Sequence, residues 1–411
     1  MPDFRNGFTD EDFAYFLGFD VAYTDEDPAD YSTLTDEEVN YPFIGGNESA
    51  YLGQYAAESA IVTSTNRLYT FTDQTLGIRV YDNPTYSPGE ILLQAMTYQG
   101  SQSTPLNDSV KLYYRTEAGG DWILYEAGYT NTVSTTDSTS NFFVAWEWDT
   151  SSLLIYDYYI QFDYELAHSS FAAAQLDTSE TYDQQLDGYG LNVDTNIPYG
   201  LLFGLIEKSP EKLIYEPWET VTITADPNAN YEFVKWVGDF GESTDNPLEI
   251  TIAGETDVQL ILAPRDYTVW RQIAFPSNHG GGISSSDWAK DNDYDGDALS
   301  NVMEYALGGE PENPTQEVYF QTDIVAVDDV NYPAIVFRQQ VAADDLTYSI
   351  AVSSDLSSWL TNADVGGPYT SDPEIIQLND DGTQLTRVRS LTPLDAATPT
   401  PFIKVNISFE D

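Results

Sequence analysis

The sequence predicts an all-β protein of several domains, beginning with a β-sandwich or jelly-roll domain. Short runs rich in Val, Ile, Tyr, Phe and Trp recur along the chain, and clusters of Gly, Pro, Asn and Asp typical of turns separate them. The chain contains 30 Tyr, 19 Phe and 8 Trp, which are enough large apolar side chains for packed cores. Its 411 residues are expected to form two to four domains.

The charge is strongly one-sided. The chain has 68 Asp and Glu residues against 15 Lys and Arg, a formal net charge of −53. Nucleic acids and anionic membranes bind basic surfaces, so neither is expected as a partner. No segment has the roughly 20 apolar residues of a membrane-spanning helix, so membrane insertion is not expected. The absence of cysteine excludes disulfides and thiolate metal sites.

Residues 1–40 form an acidic segment that carries aromatic residues such as Phe4, Phe8 and Phe13. Two interpretations stay open: a cover packed on the first domain, or an N-terminal arm that docks on a neighbouring subunit. The segment lacks the basic and apolar regions of a secretory signal. We expect that such a signal is removed before Met1 of this numbering.

Residues 41–200 are predicted to form the β-sandwich domain. Turn signals such as Ser87-Pro88-Gly89 separate the runs, and the last run alternates as a strand with one solvated face does. The predicted strands are Arg67–Phe71, Leu76–Tyr81, Glu90–Tyr98, Val110–Tyr114, Trp122–Tyr125, Phe142–Trp148 and Tyr156–Tyr164.

A few residues of this domain are candidates for function. Trp122, Trp146 and Trp148 could stack on sugar rings, but Trp146 and Trp148 share one face of a strand, which favours core packing. His168, with Asp177 nine positions later, is interpreted as a structural hydrogen-bonding group, because no second histidine lies nearby to complete a catalytic or metal site.

Residues 201–265 are predicted to form a small β module. Two alternating strands flank a Pro-Asn turn, and Trp236 fills a core that would otherwise be marginal. The pattern around Val221, Tyr231 and Trp236 closely resembles the bacterial InlB B-repeat-like module. The resemblance implies a spacer or adhesive repeat on a cell surface, with no known catalytic constellation.

Residues 266–315 are predicted to be a linker with a calcium-binding loop and a short helix. The stretch from Asp291 to Glu304 reads D-N-D-Y-D-G-D-A-L-S-N-V-M-E. Carboxylates at every second position repel one another, and Ca²⁺ relieves this repulsion because it takes six to eight oxygen ligands from a short loop. The helix is expected to stop at Gly308-Gly309. His279, in the Gly- and Ser-rich part of the linker, is interpreted as solvated.

Two frames fit the loop. A frame from Asp291 places Gly296 at the sharp turn, but Val302 stands where a bidentate acid is expected. A frame from Asp293 ends on an acid, with Ala298 at the turn; a left-handed Ala costs about 1–2 kcal/mol, less than losing two ligand atoms. We favour this frame, with Asp291 as an outer or alternate ligand. The predicted metal-site residues are therefore Asp291, Asp293, Asp295, Asp297, Leu299 (through its carbonyl), Asn301 and Glu304.

Residues 316–411 are predicted to form a C-terminal β-sandwich. Arg338, Arg387 and Arg389 concentrate scarce positive charge there, for acids of the same domain or for an acidic surface on a neighbour. The predicted strands are Glu317–Gln321, Ala334–Arg338, Thr347–Ser353, Ile375–Leu378, Leu385–Arg389 and Phe402–Ile407.

Further resemblances concern the whole arrangement. The loop is similar to dockerin and thrombospondin type 3 calcium loops. The two flanking β domains resemble modules of large secreted proteins of Verrucomicrobia and Planctomycetes. These resemblances imply a secreted protein, extracellular or on the surface of a bacterium.

The favoured function is that of a calcium-stabilised structural or adhesive surface protein that assembles into a homo-oligomer, fibre or surface layer. The ion is expected to fix the angle between the repeat module and the C-terminal domain. We expect no enzyme activity, because the sequence lacks the G-x-S-x-G, H-E-x-x-H, phosphate-loop and CxxC motifs. One alternative is a lectin-like protein with a polysaccharide partner. Another is a polysaccharide hydrolase or lyase that uses two acids.

Overall fold

The computed structural model describes residues 13–17, 49–56, 60–62, 67–70, 75–98, 104–138, 141–165, 169–198, 201–275, 287–314, 319–394 and 402–410. Nearly all regular elements of these residues are β-strands, with two short α-helices, which confirms the predicted all-β class. The chain divides into two compact units. The first comprises Met1–Asp194, Ile206–Thr224 and Asn246–Val258, and the second comprises Thr195–Leu205, Ala225–Asp245 and Gln259–Asp411. The repeat-like segment 201–265 thus contributes to both units.

The first unit contains a β-sandwich. Its strands are β1 (Phe13–Leu17), β2 (Tyr51–Ala56), β3 (Ala60–Val62), β4 (Leu68–Thr70), β5 (Leu76–Asp82), β6 (Glu90–Thr97), β7 (Lys111–Arg115), β8 (Ile123–Leu124), β9 (Asn131–Thr136), β10 (Phe142–Asp149), β11 (Asp157–Tyr164) and β12 (Ser170–Ser179). One sheet has the order β3-β4-β12-β6-β10-β9 with β1 beside β12, and the other has the order β2-β5-β11-β7-β8.

Alternating side chains of the two sheets form a large aromatic core. Trp146 and Trp148 of β10 are fully buried in it, as their shared strand face predicts. The ring centroids of Trp146 and Phe162 lie 5.4 Å apart. From the N-terminal segment, Ala14 and Phe16 of β1 are buried in the same core. Residues 13–17 therefore pack on their own sandwich, and the rest of segment 1–40 lies outside the described residues.

The repeat-like segment forms short β-sheets. In the first unit, Glu219–Ile223 pairs with Leu248–Ile252. In the second unit, Trp236 is fully buried, and Lys235 next to it pairs with Asp380 at 2.7 Å. The strands of this part of the chain are β13 (Leu191–Thr195), β14 (Gly204–Ser209), β15 (Glu219–Pro227), β16 (Tyr231–Gly238), β17 (Gly241–Ser243), β18 (Leu248–Ile252) and β19 (Thr256–Pro264).

Two helices follow in the second unit. Helix α1 (Tyr267–Ala274) begins where the Asp266 carboxylate accepts a hydrogen bond from the Val269 amide at 2.8 Å. The composition of the linker had given no sign of this helix, although Asp266 is a suitable N-cap. Helix α2 (Asn301–Leu307) ends at Gly308, whose φ of 71° is left-handed, as predicted for the stop at Gly308-Gly309.

The C-terminal part of the second unit is a small sandwich, as predicted. Its strands are β20 (Phe320–Val327), β21 (Val330–Gln340), β22 (Leu346–Ser353), β23 (Leu360–Thr361), β24 (Glu374–Leu378), β25 (Thr383–Arg389) and β26 (Phe402–Phe409). They form sheets of order β20-β21-β25-β24 and β23-β22-β26. Arg338 pairs with Asp381, and Arg387 pairs with Glu374 and Asp323. These two arginines bind acids of their own domain.

Candidate metal site

The candidate site is the loop that leads into α2, with its carboxylates held by the backbone. Asp293, Asp295 and Asp297 each direct a carboxylate oxygen to one place, and the three oxygens lie within 4.8 Å of one another. The amide of Ala298 donates to Asp293 Oδ2 at 3.0 Å, and that of Leu299 donates to Asp297 Oδ1 at 2.8 Å. These local bonds turn the three acids inward, in spite of their repulsion.

The backbone of the loop is left-handed at two positions. Gly296 has a φ of 82°, and Ala298 has a φ of 83°. Glycine adopts this conformation freely, whereas the Cβ of alanine meets the neighbouring carbonyl oxygen. Gly296 is the turn position of the frame from Asp291 and Ala298 that of the frame from Asp293, so the backbone conformation is compatible with both frames.

Glu304 approaches the three aspartates from the first turn of α2. Its side chain is 1% exposed, and its Oε2 atom has no hydrogen-bond partner among the described residues. Burial raises the pKa of Glu304 to about 8, and the negative charges of Asp295, Asp297 and Asp293 add to the effect. A buried carboxylate beside three others is unfavourable unless it is protonated or a cation lies between them.

Two further oxygens have no hydrogen-bond partner. Asn301 is buried, and its amide nitrogen donates to the carbonyls of Asp287 and Ala289, both at 2.9 Å. These bonds fix the amide, and its Oδ1 atom, like Oδ2 of Asp295, finds no donor in the part of the chain that the structure describes. Unpaired buried oxygens from an aspartate, an asparagine and a glutamate fit a hard cation and no hydrogen-bonding group of the protein itself.

The predicted ligands are not all equivalent. Asp291 is exposed and lies outside the group of three aspartates, in keeping with an outer role. Leu299 is partly buried, and its amide binds Asp297. Val302 occupies the last position of the frame from Asp291 and has no carboxylate. Asp293 and Asp295 belong to both frames, and the choice of the frame that begins at Asp293 stays a prediction.

A polar and aromatic support lies behind the loop. Asp345 accepts hydrogen bonds from the Tyr305 hydroxyl and the Tyr267 amide, both at 2.8 Å, and so joins α1 to α2. The Tyr267 hydroxyl donates to the Trp288 carbonyl at 2.9 Å, just before the loop. Asp345 and Tyr267 were not identified from the sequence, because they are distant from the loop along the chain.

The other candidates have different outcomes. His168 and His279 lie outside the described residues. Asp177 is fully buried and accepts hydrogen bonds from the side chains of Gln94 and Gln175, so it is a structural group of the first sandwich. Trp122 is 38% exposed. No helix of the described residues is long and apolar enough to cross a membrane.

Comparison with known proteins identifies one segment. Residues 209–260 match the family model of the divergent InlB B-repeat domain, which confirms that part of the predicted resemblance. No curated protein matches the chain. A solved structure titled "Biofilm associated protein - BSP domain" is similar at 9% sequence identity and a TM-score of 0.14. The alignment covers 89% of this chain and 52% of that one, so the chain spans about half its length. A likeness this weak carries no argument about function.

Proposed function

We propose that this chain is a non-enzymatic, calcium-stabilised structural or adhesive protein of a bacterial cell surface, which assembles with further copies into a fibre or layer. One observation carries the calcium part: the buried Glu304 carboxyl stands beside three convergent aspartates, and its Oε2 atom has no hydrogen-bond partner in the part of the chain that the structure describes. The repeat-family match at residues 209–260 supports the surface part, because the resemblance implies a spacer or adhesive role.

Calcium suits this donor set better than other common ions do. All the candidate ligand atoms are oxygens, which excludes the sulfur and nitrogen sites that zinc and copper prefer. Magnesium keeps several waters and is seldom surrounded by four carboxylates of one loop. The ligands would be Asp293, Asp295, Asp297, Asn301 and Glu304, together with the Leu299 carbonyl.

The ion would supply positive charge where the chain has an excess of negative charge. Asp293, Asp295, Asp297 and Glu304 could then all be ionised, and the loop would be tied to the first turn of α2. Because Asp345 already joins α2 to α1, the loop and both helices would form one rigid part of the second unit. Rigidity of this kind suits a protein that bears load.

The test is thermal unfolding with calcium and with a chelator. Calcium at 100 times its dissociation constant should stabilise the parent by about 2.7 kcal/mol. Glu304→Gln should melt at a higher temperature than the parent in chelator at pH 7, because the parent must take up a proton on Glu304 to fold, its pKa rising from near 4.5 to about 8. The variant should lose most of the calcium increment.

The matched control is Asp291→Asn, which removes an exposed carboxylate from the same loop. It should keep nearly all of the calcium increment. A Glu304→Gln variant that gains as much as the parent would reject the ligand frame, and a parent unaffected by calcium would reject the metal site.

A second candidate function is sugar binding on the solvent-facing side of the β2-β5-β11-β7-β8 sheet. Tyr113 and Tyr159 stack there across neighbouring strands, with ring centroids 4.8 Å apart. The rings of Trp122 and Tyr159 meet edge to face, with centroids 4.7 Å apart. The Arg115 guanidinium lies 4.3 Å from the centre of the Trp122 ring. Trp122 is exposed whereas Tyr159 is buried, so Trp122, beside the hydrogen-bonding Arg115, is the ring that could stack on a sugar. This favours the lectin-like alternative as an additional activity.

Affinity electrophoresis through gels that contain neutral or acidic polysaccharides tests this function. Trp122→Ala should weaken any retardation roughly tenfold, since an aromatic contact contributes about 0.5–1.5 kcal/mol. Trp218→Ala is the control, because Trp218 is exposed and lies away from this sheet. Equal mobility of all three proteins in every gel would reject a role for this surface.

A further inference from the structure

The C-terminal sandwich has one layer of four strands and one of three. Ile335 and Phe337 of β21 pack with Ile403 and Val405 of β26, so β26 lies over β21. On the other side of β26, its partner β22 packs on the same core, which also contains Val388 of β25. If the layer of three strands continued beyond β26, away from β22, its next strand would lie over β20. No strand of the described residues occupies that position.

The side chains of β20 show the consequence. Phe320 pairs with Phe337 and Thr322 pairs with Ile335, so these residues and Ile324 share the core-facing side of the sheet. Core-facing residues are normally covered, yet Phe320 is 42% exposed and Ile324 is 60% exposed. An open cavity of about 720 Å³ lies beside Ile324, which lines it together with Leu356, Trp359, Phe402 and Ile403.

The strand next to this cavity has a free edge. Strand β26 pairs with β22 on one side, and within the described part of the chain its other edge makes no backbone hydrogen bond. An eight-residue edge beside an apolar groove is the arrangement that accepts an added strand: the edge supplies backbone hydrogen bonds, and the groove takes alternate side chains.

A single extended segment fits this position better than the edge strand of a second folded sandwich does. If two copies paired their β26 strands about a twofold axis, the second layer of each copy would enter the space that β20 of the other occupies. The added strand must therefore come from a part of the chain that carries no sheet of its own.

We propose that the added strand is formed by residues 1–12 of a second copy. This segment precedes β1 and is long enough to pair along all eight residues of β26. Phe4 and Phe8 lie four residues apart, so in an added strand both would face the inner side of β20, where Phe320 and Ile324 have the same spacing.

Charge also favours this segment. Residues 1–12 contain Asp3, Asp10, Glu11 and Asp12 against one arginine. On β26, the Lys404 amine lies 4.3 Å from the ring centre of Trp359, a residue that lines the groove, and offers a positive charge on the free strand. Asp323, the acid in the groove lining, pairs with Arg387. Each copy would thus donate its first segment and accept that of a further copy in its second unit, which can build a chain of copies. This deepens the assembly part of the proposed function and does not depend on the calcium site.

The test measures self-association by sedimentation velocity, with calcium present throughout. The parent should form concentration-dependent chains. A variant that lacks residues 1–12 and an Ile324→Asp variant should each remain monomeric, with association weakened by roughly 100-fold or more. Val365→Asp, at a fully exposed position outside the groove, is the control and should associate as the parent does.

Mixing the two defective variants is decisive. The deletion variant keeps an intact groove, and Ile324→Asp keeps an intact donor segment. A mixture of the two should therefore form a one-to-one complex, and no assembly of more than two copies. A synthetic peptide of residues 1–12 should bind the deletion variant and dissolve parent chains. Near-ultraviolet circular dichroism checks the folding of Ile324→Asp, and Ile324→Ser replaces it if it is unfolded.

Several results would overturn the proposal. Association of the deletion variant equal to that of the parent would do so, as would absence of a complex in the mixture together with absence of peptide binding. Those results would mean that the groove is filled from within the chain, for example by residues 395–401 between Leu394 and Phe402, or by a different protein. Calcium-dependent melting of the parent would still stand in that case, so failure here is distinct from failure of the metal site.

Discussion

Ala298 has a backbone conformation that suits glycine better than alanine. Its φ is 83°, and its amide donates to Asp293 Oδ2. Ala298→Gly should relieve about 1–2 kcal/mol of strain and lose about 0.5–1 kcal/mol through the greater freedom of the unfolded chain. We expect a net gain of up to about 1 kcal/mol in urea unfolding. Gly296→Ala, the opposite change at a φ of 82°, should destabilise the protein.

Glu90 is a second residue whose surroundings determine its charge. It is buried on β6, and burial together with Glu147 raises its pKa to about 8. The Asp183 amide donates to Glu90 at 3.2 Å, while Asp183, Asp149 and Tyr182 are the other titratable groups nearby. In the unfolded chain the pKa of a glutamate is near 4.5, so the folded state binds this proton more tightly.

This pKa shift predicts a pH dependence. The stabilisation from the Glu90 proton is fully present below about pH 4.5 and is lost as the pH rises through about 8. Glu90→Gln keeps a neutral group that can still accept from the Asp183 amide. The variant and the parent should melt at similar temperatures near pH 5, and the variant should melt higher at pH 9. Parallel melting curves across this range would contradict the raised pKa of Glu90.

At the scale of elements, strand β16 of the repeat-like segment depends on one large side chain. Trp236 is fully buried in the second unit, next to Lys235, whose amine pairs with Asp380 and Glu242. Trp236→Ala should cost about 3–5 kcal/mol in chemical unfolding, because it removes a large apolar surface and leaves a cavity. Trp218 directly precedes β15 and is 74% exposed, so Trp218→Ala should change stability by less than about 0.5 kcal/mol.

The helices show how far local rules extend. Helix α2 ends at Gly308 because a left-handed residue there lets the Gly309 amide donate to the Glu304 carbonyl at 2.7 Å. The two adjacent glycines predict this end from the sequence. Helix α1 is not predicted from the sequence, because its eight residues precede a Gly- and Ser-rich stretch whose composition indicates a linker. Its packing partner Asp345 lies 78 positions from Tyr267 and has no local signal.

At the scale of the whole molecule, the net charge of −53 should make stability depend on ionic strength. Monovalent salt screens repulsion between exposed acids, and the screening length falls from about 30 Å at 0.01 M to about 10 Å at 0.1 M. We expect the melting temperature in chelator to rise with sodium chloride over this range. A sucrose series of equal osmolality serves as the control and should produce a much smaller rise. A melting temperature independent of salt would show that the exposed acids do not oppose folding.

The sequence by itself determined what neighbouring residues decide. Alternating positions placed Trp146 and Trp148 in one core, and paired glycines ended α2, because each depends on the geometry of a few consecutive residues. The spacing of the aspartates predicts a metal loop with two frames, of which we favour the one from Asp293. Tertiary structure alone decided that Glu304 is buried with an oxygen that has no hydrogen-bond partner among the described residues, that Asp345 joins the two helices, and that the inner face of β20 is exposed. These features depend on which distant strands and helices pack together, and the periodicity of side chains along the sequence does not predict that packing.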